Sequence, residues 1–205
     1  MKTNTQTRTK PEIYYKFQQA FYDSVDEFST PVVWNTQRQM GKSTILAKIA
    51  AKYLTQGDVW MVGPNRLCEE EFLKKVMLHL PTELKARATK SRIEVATPTK
   101  VNFLGSPTKF LKPHEGIDLE YNKPVLVIVD ELNLTTLVRL DGMLNYLKDG
   151  KGMDIKFVAA TTGYGKTDYE WIKYNFGEPE FISTAFETVN IWMEEMTGGR
   201  DGFNV

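Results

Sequence analysis

Cysteine, histidine and net charge are what this chain has least of. Its one cysteine, Cys68, has no partner for an internal disulfide, so nothing in the sequence calls for an oxidising compartment. The two histidines, His79 and His114, are far apart and exclude a Cys/His metal site. The 26 basic residues cancel the 26 acidic ones, which excludes both a polycation gripping nucleic acid by bulk charge and an acidic mimic of it. The longest purely apolar run, Val125 to Val129, falls far short of the roughly 20 residues of a membrane span. The opening MKTNTQTRTK is basic but has no apolar stretch, so no secretory signal is expected. The expectation that remains is an intracellular, soluble chain of 205 residues with 41% hydrophobic side chains, enough for one core. We expect a flexible tail over residues 1–10 and a single domain over 11–205.

Apolar and polar positions alternate between helical and strand periods along the chain. Ile13, Phe17, Phe21, Val25 and Phe28 recur at three- and four-residue steps and predict an amphipathic helix. PVVWN (31–35) reads as a strand, followed by the polar loop TQRQMGKS and a helix over 43–54. VWMVG (59–63) predicts a strand and 66–80 a helix; RIEVA and KVNFLG, split by TPT, read as a hairpin. Residues 105–123 read as loop. PVLVIVDE (124–131) and IKFVAATT (155–162) are apolar without alternation, as in strands buried on both faces of a parallel sheet. Helices are expected over 135–148, 167–175 and 187–196, with a strand at 180–184. Strands alternating with helices predict an α/β fold with a mainly parallel central sheet flanked by helices.

Gly-Lys-Ser/Thr occurs twice, at Gly41-Lys42-Ser43 and Gly165-Lys166-Thr167. Only the first follows an apolar strand and opens an amphipathic helix, the setting of a phosphate-binding loop. There the backbone N–H groups of 38–44 line a cradle at the positive end of the helix. Lys42 reaches the β- and γ-phosphates and the Ser43 hydroxyl ligates Mg²⁺. The full pattern G-x4-G-K-[ST] fails at one residue, because Thr36 stands in place of the first Gly. The buried strand VLVIVDE ends on two carboxylates. Asp130 suits the magnesium shell, and Glu131, aimed at the γ-phosphate, suits polarisation of an attacking water. Thr161 and Thr162 end the next buried strand, where a polar side chain senses the γ-phosphate. A glutamate beside the metal aspartate, with an extra strand between loop and carboxylates, predicts the additional-strand, catalytic-glutamate (RecA-like) division of P-loop NTPases. The base reader of GTPases is missing, since Asn122-Lys123 is followed by Pro-Val.

Taken together these stretches resemble the ATPase domain of the large terminase subunits of tailed double-stranded DNA phages, most of all the T4-type motors. VWNTQRQMGKST resembles their variant phosphate loop, which implies nucleotide contacts along Thr36, Gln37, Arg38, Gln39, Met40, Gly41, Lys42, Ser43 and Thr44, with Arg38 on the phosphates. KFQQAF resembles their adenine-reading glutamine motif, which maps best onto Gln18, with Gln19 the adjacent alternative. VIVDELN resembles the magnesium aspartate and catalytic glutamate, and FVAATTGYGKTDYEWI the coupling motif with Thr161, Thr162 and Gly163. The resemblance spans about residues 13–192. It implies ATP and Mg²⁺ as cofactors and a motor that drives double-stranded DNA into a procapsid. Its partners would be further copies in a ring, the portal protein, and a small terminase or separately encoded nuclease, all in the host cytoplasm. Two departures stand out. The Arg-Gly expected before the acidic strand is replaced in KFLKPHEGIDL, leaving Lys109 or Lys112 in its place and Arg92 and Arg139 as candidates for a trans-acting arginine. Residues 163–205 carry no spaced carboxylate set, so the family's RNase H-like nuclease is expected to be missing.

Net neutrality hides an uneven layout. The window 84–112 holds seven basic residues against Glu94 alone, while 178–197 holds five glutamates and no basic residue. Lys85, Arg87, Lys90 and Arg92 are therefore candidates for tracking DNA phosphates without reading sequence. Two other functions fit the same motifs: a helicase-like or recombination ATPase acting on DNA, and a nuclease-less nucleotide-binding assembly module.

Overall fold

The computed structural model describes residues 16–105, 124–144, 155–163 and 165–183. They form eight strands and five helices: α1 (Lys16–Glu27), β1 (Val32–Asn35), α2 (Lys42–Leu54), β2 (Val59–Val62), α3 (Arg66–His79), β3 (Lys85–Ala88), β4 (Arg92–Ala96), β5 (Val101–Gly105), β6 (Leu126–Asp130), α4 (Leu134–Leu144), β7 (Lys156–Thr161), α5 (Lys166–Phe176) and β8 (Glu180–Ser183). The helix expected at 187–196, the loop 105–123 beyond Gly105, and the tail 1–10 lie outside the described residues.

One sheet carries all eight strands in the order β3-β4-β5-β2-β6-β7-β1-β8. It is parallel from β5 through β8, and β3 and β4 join at one edge as antiparallel strands. Side chains of the central strands alternate between two apolar layers, as the two-residue strand period requires. Val32, Trp34, Met61, Ile128, Val158 and Ala160 face α1, α2 and α3 in one core. Val33, Trp60, Val62, Val127, Val129, Phe157 and Ala159 face α4 and α5 in the other. Burial on both faces is why these strands read as unbroken apolar runs.

β7 lies between β1 and β6. Asn35 is in register with Thr161, and Asp130 with Ala160, so the three strands end at the same edge. This is the extra strand that the sequence led us to expect, and it aligns the phosphate loop, Thr161–Gly163 and the two carboxylates. β3 was not legible in the sequence. KARA alternates charge only with alanine, too little apolar surface to mark a strand; three of its four residues are exposed, and its backbone pairing to β4 makes it one.

The α1 helix is held by aromatic packing and by polar ties at its far end. Phe21 stacks on the fully buried Trp34 at 4.8 Å between ring centroids, and Phe17 approaches the same ring at 6.1 Å. Asp26 takes the Tyr53 hydroxyl at 3.1 Å and pairs with Lys52, while Lys156 on β7 donates to the carbonyls of Val25 and Phe28. Phe21→Ala is expected to cost about 3–5 kcal/mol of unfolding free energy. A midpoint in urea indistinguishable from that of the parent chain would refute this anchoring role.

Candidate nucleotide and metal site

The chain leaves β1 by one more ladder bond, Thr36 N–H to the Thr161 carbonyl at 3.0 Å, and then curls. Gln39 (φ 64°) and Gly41 (φ 77°) are both left-handed, a conformation that turns successive N–H groups toward one concave side. Gly41 caps α2, its carbonyl accepting from the N–H groups of Thr44 (3.0 Å) and Ile45 (3.1 Å). A side chain at Gly41 is strained by its φ, and a Cβ there, 2.5 Å from Gln18 Nε2, would also push the Gln18 amide from its place. Gln18 is buried against this loop and donates Nε2 to the Met40 carbonyl at 2.9 Å. Gln19, the alternative, is exposed and donates to Asp23 Oδ1 at 2.7 Å. Thr36, where the first Gly of the pattern was expected, is buried, and its hydroxyl has no hydrogen-bond partner among the described residues.

Lys42 is buried with its ammonium bridging the loop and the acidic strand, 3.0 Å from the Gln37 carbonyl and 3.4 Å from Glu131 Oε1. Glu131 itself has φ 65°, a left-handed conformation rare for a residue with a side chain and costing about 1–3 kcal/mol unless its surroundings impose it. They do. Its carbonyl accepts from Asn133 Nδ2 (3.1 Å) and from the buried Thr136 hydroxyl (3.2 Å), and the next N–H, of Leu132, bonds the Ala160 carbonyl at 2.9 Å. The other carboxylate oxygen, Glu131 Oε2, accepts from the Thr162 hydroxyl at 3.4 Å. Thr161, by contrast, points inward. Its hydroxyl donates to the carbonyls of Leu132 (3.0 Å) and Gly163 (2.6 Å) and accepts from the Gly163 N–H at 3.2 Å, so it fastens the end of β7 to the strand carrying Glu131.

Arg38, Gln39, Gly41, Lys42, Ser43, Thr44, Lys75, Glu131 and Thr162 line a cavity of about 480 Å³. An adjoining cleft of about 290 Å³ shares Ser43, Lys75 and Glu131 with it and reaches Asp130 between Pro64, Leu67, Cys68, Glu71 and Phe72. The first cavity is cationic and wide enough for a polyphosphate. Lys75, on α3, was missed in the sequence, because only the docking of α3 against α2 decides which face of that helix meets the site.

Asp130 is buried, and its Oδ1 has no hydrogen-bond partner among the described residues. Burial pushes its carboxyl above the usual carboxylate range, and the neighbouring Glu131 charge adds to this; the Ser43 hydroxyl bond and the charges of Lys75 and Lys42 work against it. An orphaned buried carboxylate oxygen beside a hydroxyl is what a hydrated Mg²⁺ with few protein ligands requires. Among the described residues no group of three or more His, Cys, Asp or Glu side chains is arranged to hold a metal, so phosphate and water would complete such a shell. Asp130 and Ser43 would hold the ion.

The second Gly-Lys-Thr differs in kind. Gly165 is extended (φ −118°), and its N–H is taken by the Asp168 carboxylate at 3.0 Å, so an anion of the chain already sits at the start of α5. Among the candidates for a trans-acting arginine, Arg139 is bound within the chain to Glu69 Oε1 at 2.5 Å and to the Gly63 carbonyl, and Arg92 to Glu94 at 2.5 Å. Lys109, Lys112 and His114 lie outside the described residues. The basic window folds into the edge hairpin: Lys85 and Arg87 are exposed on β3, Lys90 is exposed in its turn, and Arg92 lies 5.5 Å over the Phe103 ring. Five strands separate this edge from β1.

No family model matches the sequence, and no curated protein does. Solved structures do. The large terminase ATPase domain of Thermus phage P74-26 is similar over 92% of this chain and 88% of its own, at 14% identity, with TM-scores of 0.60 and, for a point mutant, 0.62. A DEAD box protein of Methanococcus jannaschii gives a TM-score of 0.59 at 15% identity, over 83% of this chain and 50% of its own. The helicase domain of Pyrococcus furiosus Hef gives 0.54 at 15% identity, over 86% and 39%. At these identities the likeness establishes the fold: a RecA-like P-loop NTPase fold, with a mostly parallel sheet flanked by helices.

Asp130 provides a test that needs no nucleotide. A carboxyl held above its unfolded value favours folding only while protonated. Its contribution is therefore fully present below the unfolded value near 3.8 and is lost as pH rises through the raised folded value. Asp130→Asn should accordingly raise the melting temperature of the nucleotide-free protein at pH 7 and leave it nearly unchanged at pH 3.5. A lower melting temperature at pH 7 would contradict the reading of Asp130 as a buried carboxylate with an orphaned oxygen.

Proposed function

We propose that the chain hydrolyses ATP at this one site and uses the cycle to drive double-stranded DNA into a phage procapsid, as the ATPase of a large terminase. The observation that carries the hydrolase half is the position of Glu131. Its carboxylate is held at the mouth of the phosphate cavity by Lys42 on one oxygen and Thr162 on the other. In the proposed reaction Lys42 and Arg38 hold the phosphates, with Thr36 to Thr44 around them. Gln18 faces the adenine side from beneath the loop. Glu131 accepts the proton of the attacking water as its oxygen bonds to the γ-phosphorus and the bond to the β-phosphate oxygen breaks, releasing ADP and phosphate. Asp130 and Ser43 would hold a magnesium ion, which would supply charge neutralisation. Thr162 reports the state of Glu131 to β7, and Thr161 and Gly163 pass it toward α5.

Packaging is supported by the likeness to a terminase ATPase domain, with a TM-score of up to 0.62, together with the order of the four motifs along the chain. The nearly equal TM-score to the DEAD box protein favours a helicase-like DNA-dependent ATPase as the second reading. Strand separation without portal binding would select it. Portal, small terminase or nuclease partners, a ring of copies and a location in the host cytoplasm belong to the packaging proposal. In it, the exposed hairpin with Lys85, Arg87 and Lys90 runs along the DNA backbone.

Glu131→Gln should lower ATP turnover by about 10²- to 10⁴-fold while nucleotide binding persists, and Lys42→Ala should abolish both. Phosphate release and nucleotide titration measure the two; unchanged turnover in either variant removes the assignment. For DNA, replacing Lys85 and Arg87 together with alanine should weaken binding equally on all sequences. The slope of log K against log salt should fall by about 0.9 for each DNA phosphate that is no longer neutralised. An unaltered slope would exclude the hairpin from the DNA path.

A further inference from the structure

The cavity and the cleft meet at three residues, Ser43, Glu131 and Lys75. The first two belong to the metal and hydrolysis machinery already described. The third comes from α3, an element outside the phosphate loop, the acidic strand and the coupling segment. We infer that Lys75 is a nucleotide-binding residue that contacts the terminal phosphate and so makes the site prefer a triphosphate over a diphosphate. This rests on the ATP-site reading above.

The helix is fixed in a way that holds Lys75 at this point. Asn65 caps its start, accepting the Cys68 N–H at 3.0 Å, and Phe72, Leu73 and Val76 are buried beneath it. Glu69, buried on the same helix, pairs with Arg139 of α4 and takes the Gly63 N–H at 3.4 Å, tying α3 to α4 and to the end of β2. Glu71, one turn before Lys75, lines the same cleft but pairs with Lys74 at 2.5 Å, and Asp130 and Glu131 face Lys75 across it. Among the described residues no carboxylate comes within 4.0 Å of the Lys75 ammonium. Lys42, in contrast, is shared between the Gln37 carbonyl and Glu131.

Position decides which phosphate Lys75 meets. It stands on the Ser43, Asp130 and Glu131 side of the cavity, whereas Gln18 lies under the loop beside Met40 and Gly41. The hydrolysing carboxylate and Lys75 therefore share the end of the site that a triphosphate fills and a diphosphate leaves to water. A lysine there acts as a mobile point charge on a flexible stem, suited to following a group that leaves.

The test measures binding of ATP and ADP separately, with Mg²⁺, by calorimetry on the full chain and on Lys75→Ala, Lys75→Gln and Lys75→Arg, each checked for an unchanged melting profile. Loss of one charge-assisted hydrogen bond should weaken ATP roughly tenfold or more in the alanine and glutamine variants. ADP affinity should change by less than about twofold, and arginine should restore most of the ATP preference. Equal loss for both nucleotides, or none, overturns the inference; if the alanine variant does not fold, the glutamine variant, which keeps much of the stem, decides. Lys42→Ala separates the two levels: if it loses ATP binding while Lys75 variants show no ATP-over-ADP effect, only the Lys75 assignment falls. If Lys42→Ala binds ATP like the parent chain, the nucleotide site itself falls.

Discussion

The parallel ladder of β1, β7 and β6 is the constraint on which everything else depends. Parallel strands in one register end at one edge, so residues more than 120 positions apart in the chain, Asn35 and Thr161, are brought side by side. Each strand delivers a different function at that edge: β1 leads to the cradle, β7 to Thr161 and Thr162, and β6 to Asp130 and Glu131. A slip of one residue in any pair would turn every side chain of that strand to the opposite face. Since both layers are apolar, it is side-chain size that resists the slip: Trp34 fills a place in one core and the smaller Val33 in the other. Burial energy thus fixes the chemistry.

The edge concentrates strain as well as function. Gln39 and Glu131, both left-handed, flank the cavity. Glu131 is held by the Asn133 amide and Thr136 hydroxyl on its carbonyl, groups that also start α4. The same turn that begins a helix therefore aims the carboxylate. Gln18 acts comparably from the other side: it packs where Gly41 has no side chain, so α1, docked through Phe21 on Trp34, supports the loop from below.

Much of this was legible in the sequence. The buried strands, the first Gly-Lys-Ser and the paired carboxylates show because a long apolar run ending in charge has few structural explanations. Two kinds of residue stayed hidden. β3 could not be seen, since KARA is a strand only by virtue of its neighbour's hydrogen bonds. The places of Lys75, Glu69 and Arg139 could not be seen, since charged residues on a helix look alike until packing decides which face is covered. Asn133 and Thr136 carried a signal that was readable: an N-cap residue three before a hydroxyl, at the start of a helix. Arg139, a candidate for action on a neighbouring molecule, is instead an internal tie, which the buried Glu69 explains: a carboxylate taken out of water holds its cation.

The contact between Lys42 and Glu131 gives the site its logic. Lys42 and Glu131, the phosphate-binding cation and the proton acceptor of the proposed reaction, lie 3.4 Å apart. Lys42 has one buried ammonium for two claims, and it cannot stay centred on Glu131 while reaching into the cradle. Its departure would leave Glu131 with the weaker tether to Thr162, a 3.4 Å bond to a side chain that is itself exposed. Glu131 is held in place by its backbone, through Asn133 and Thr136, rather than by that tether. In the proposed cycle the carboxylate would change partner while its backbone stays held, with Thr162 on one side of it and Thr161 tied to Leu132 and Gly163 on the other. Coupling in such a site needs no large motion at the nucleotide. It needs one cation shared between the cradle and the acidic strand.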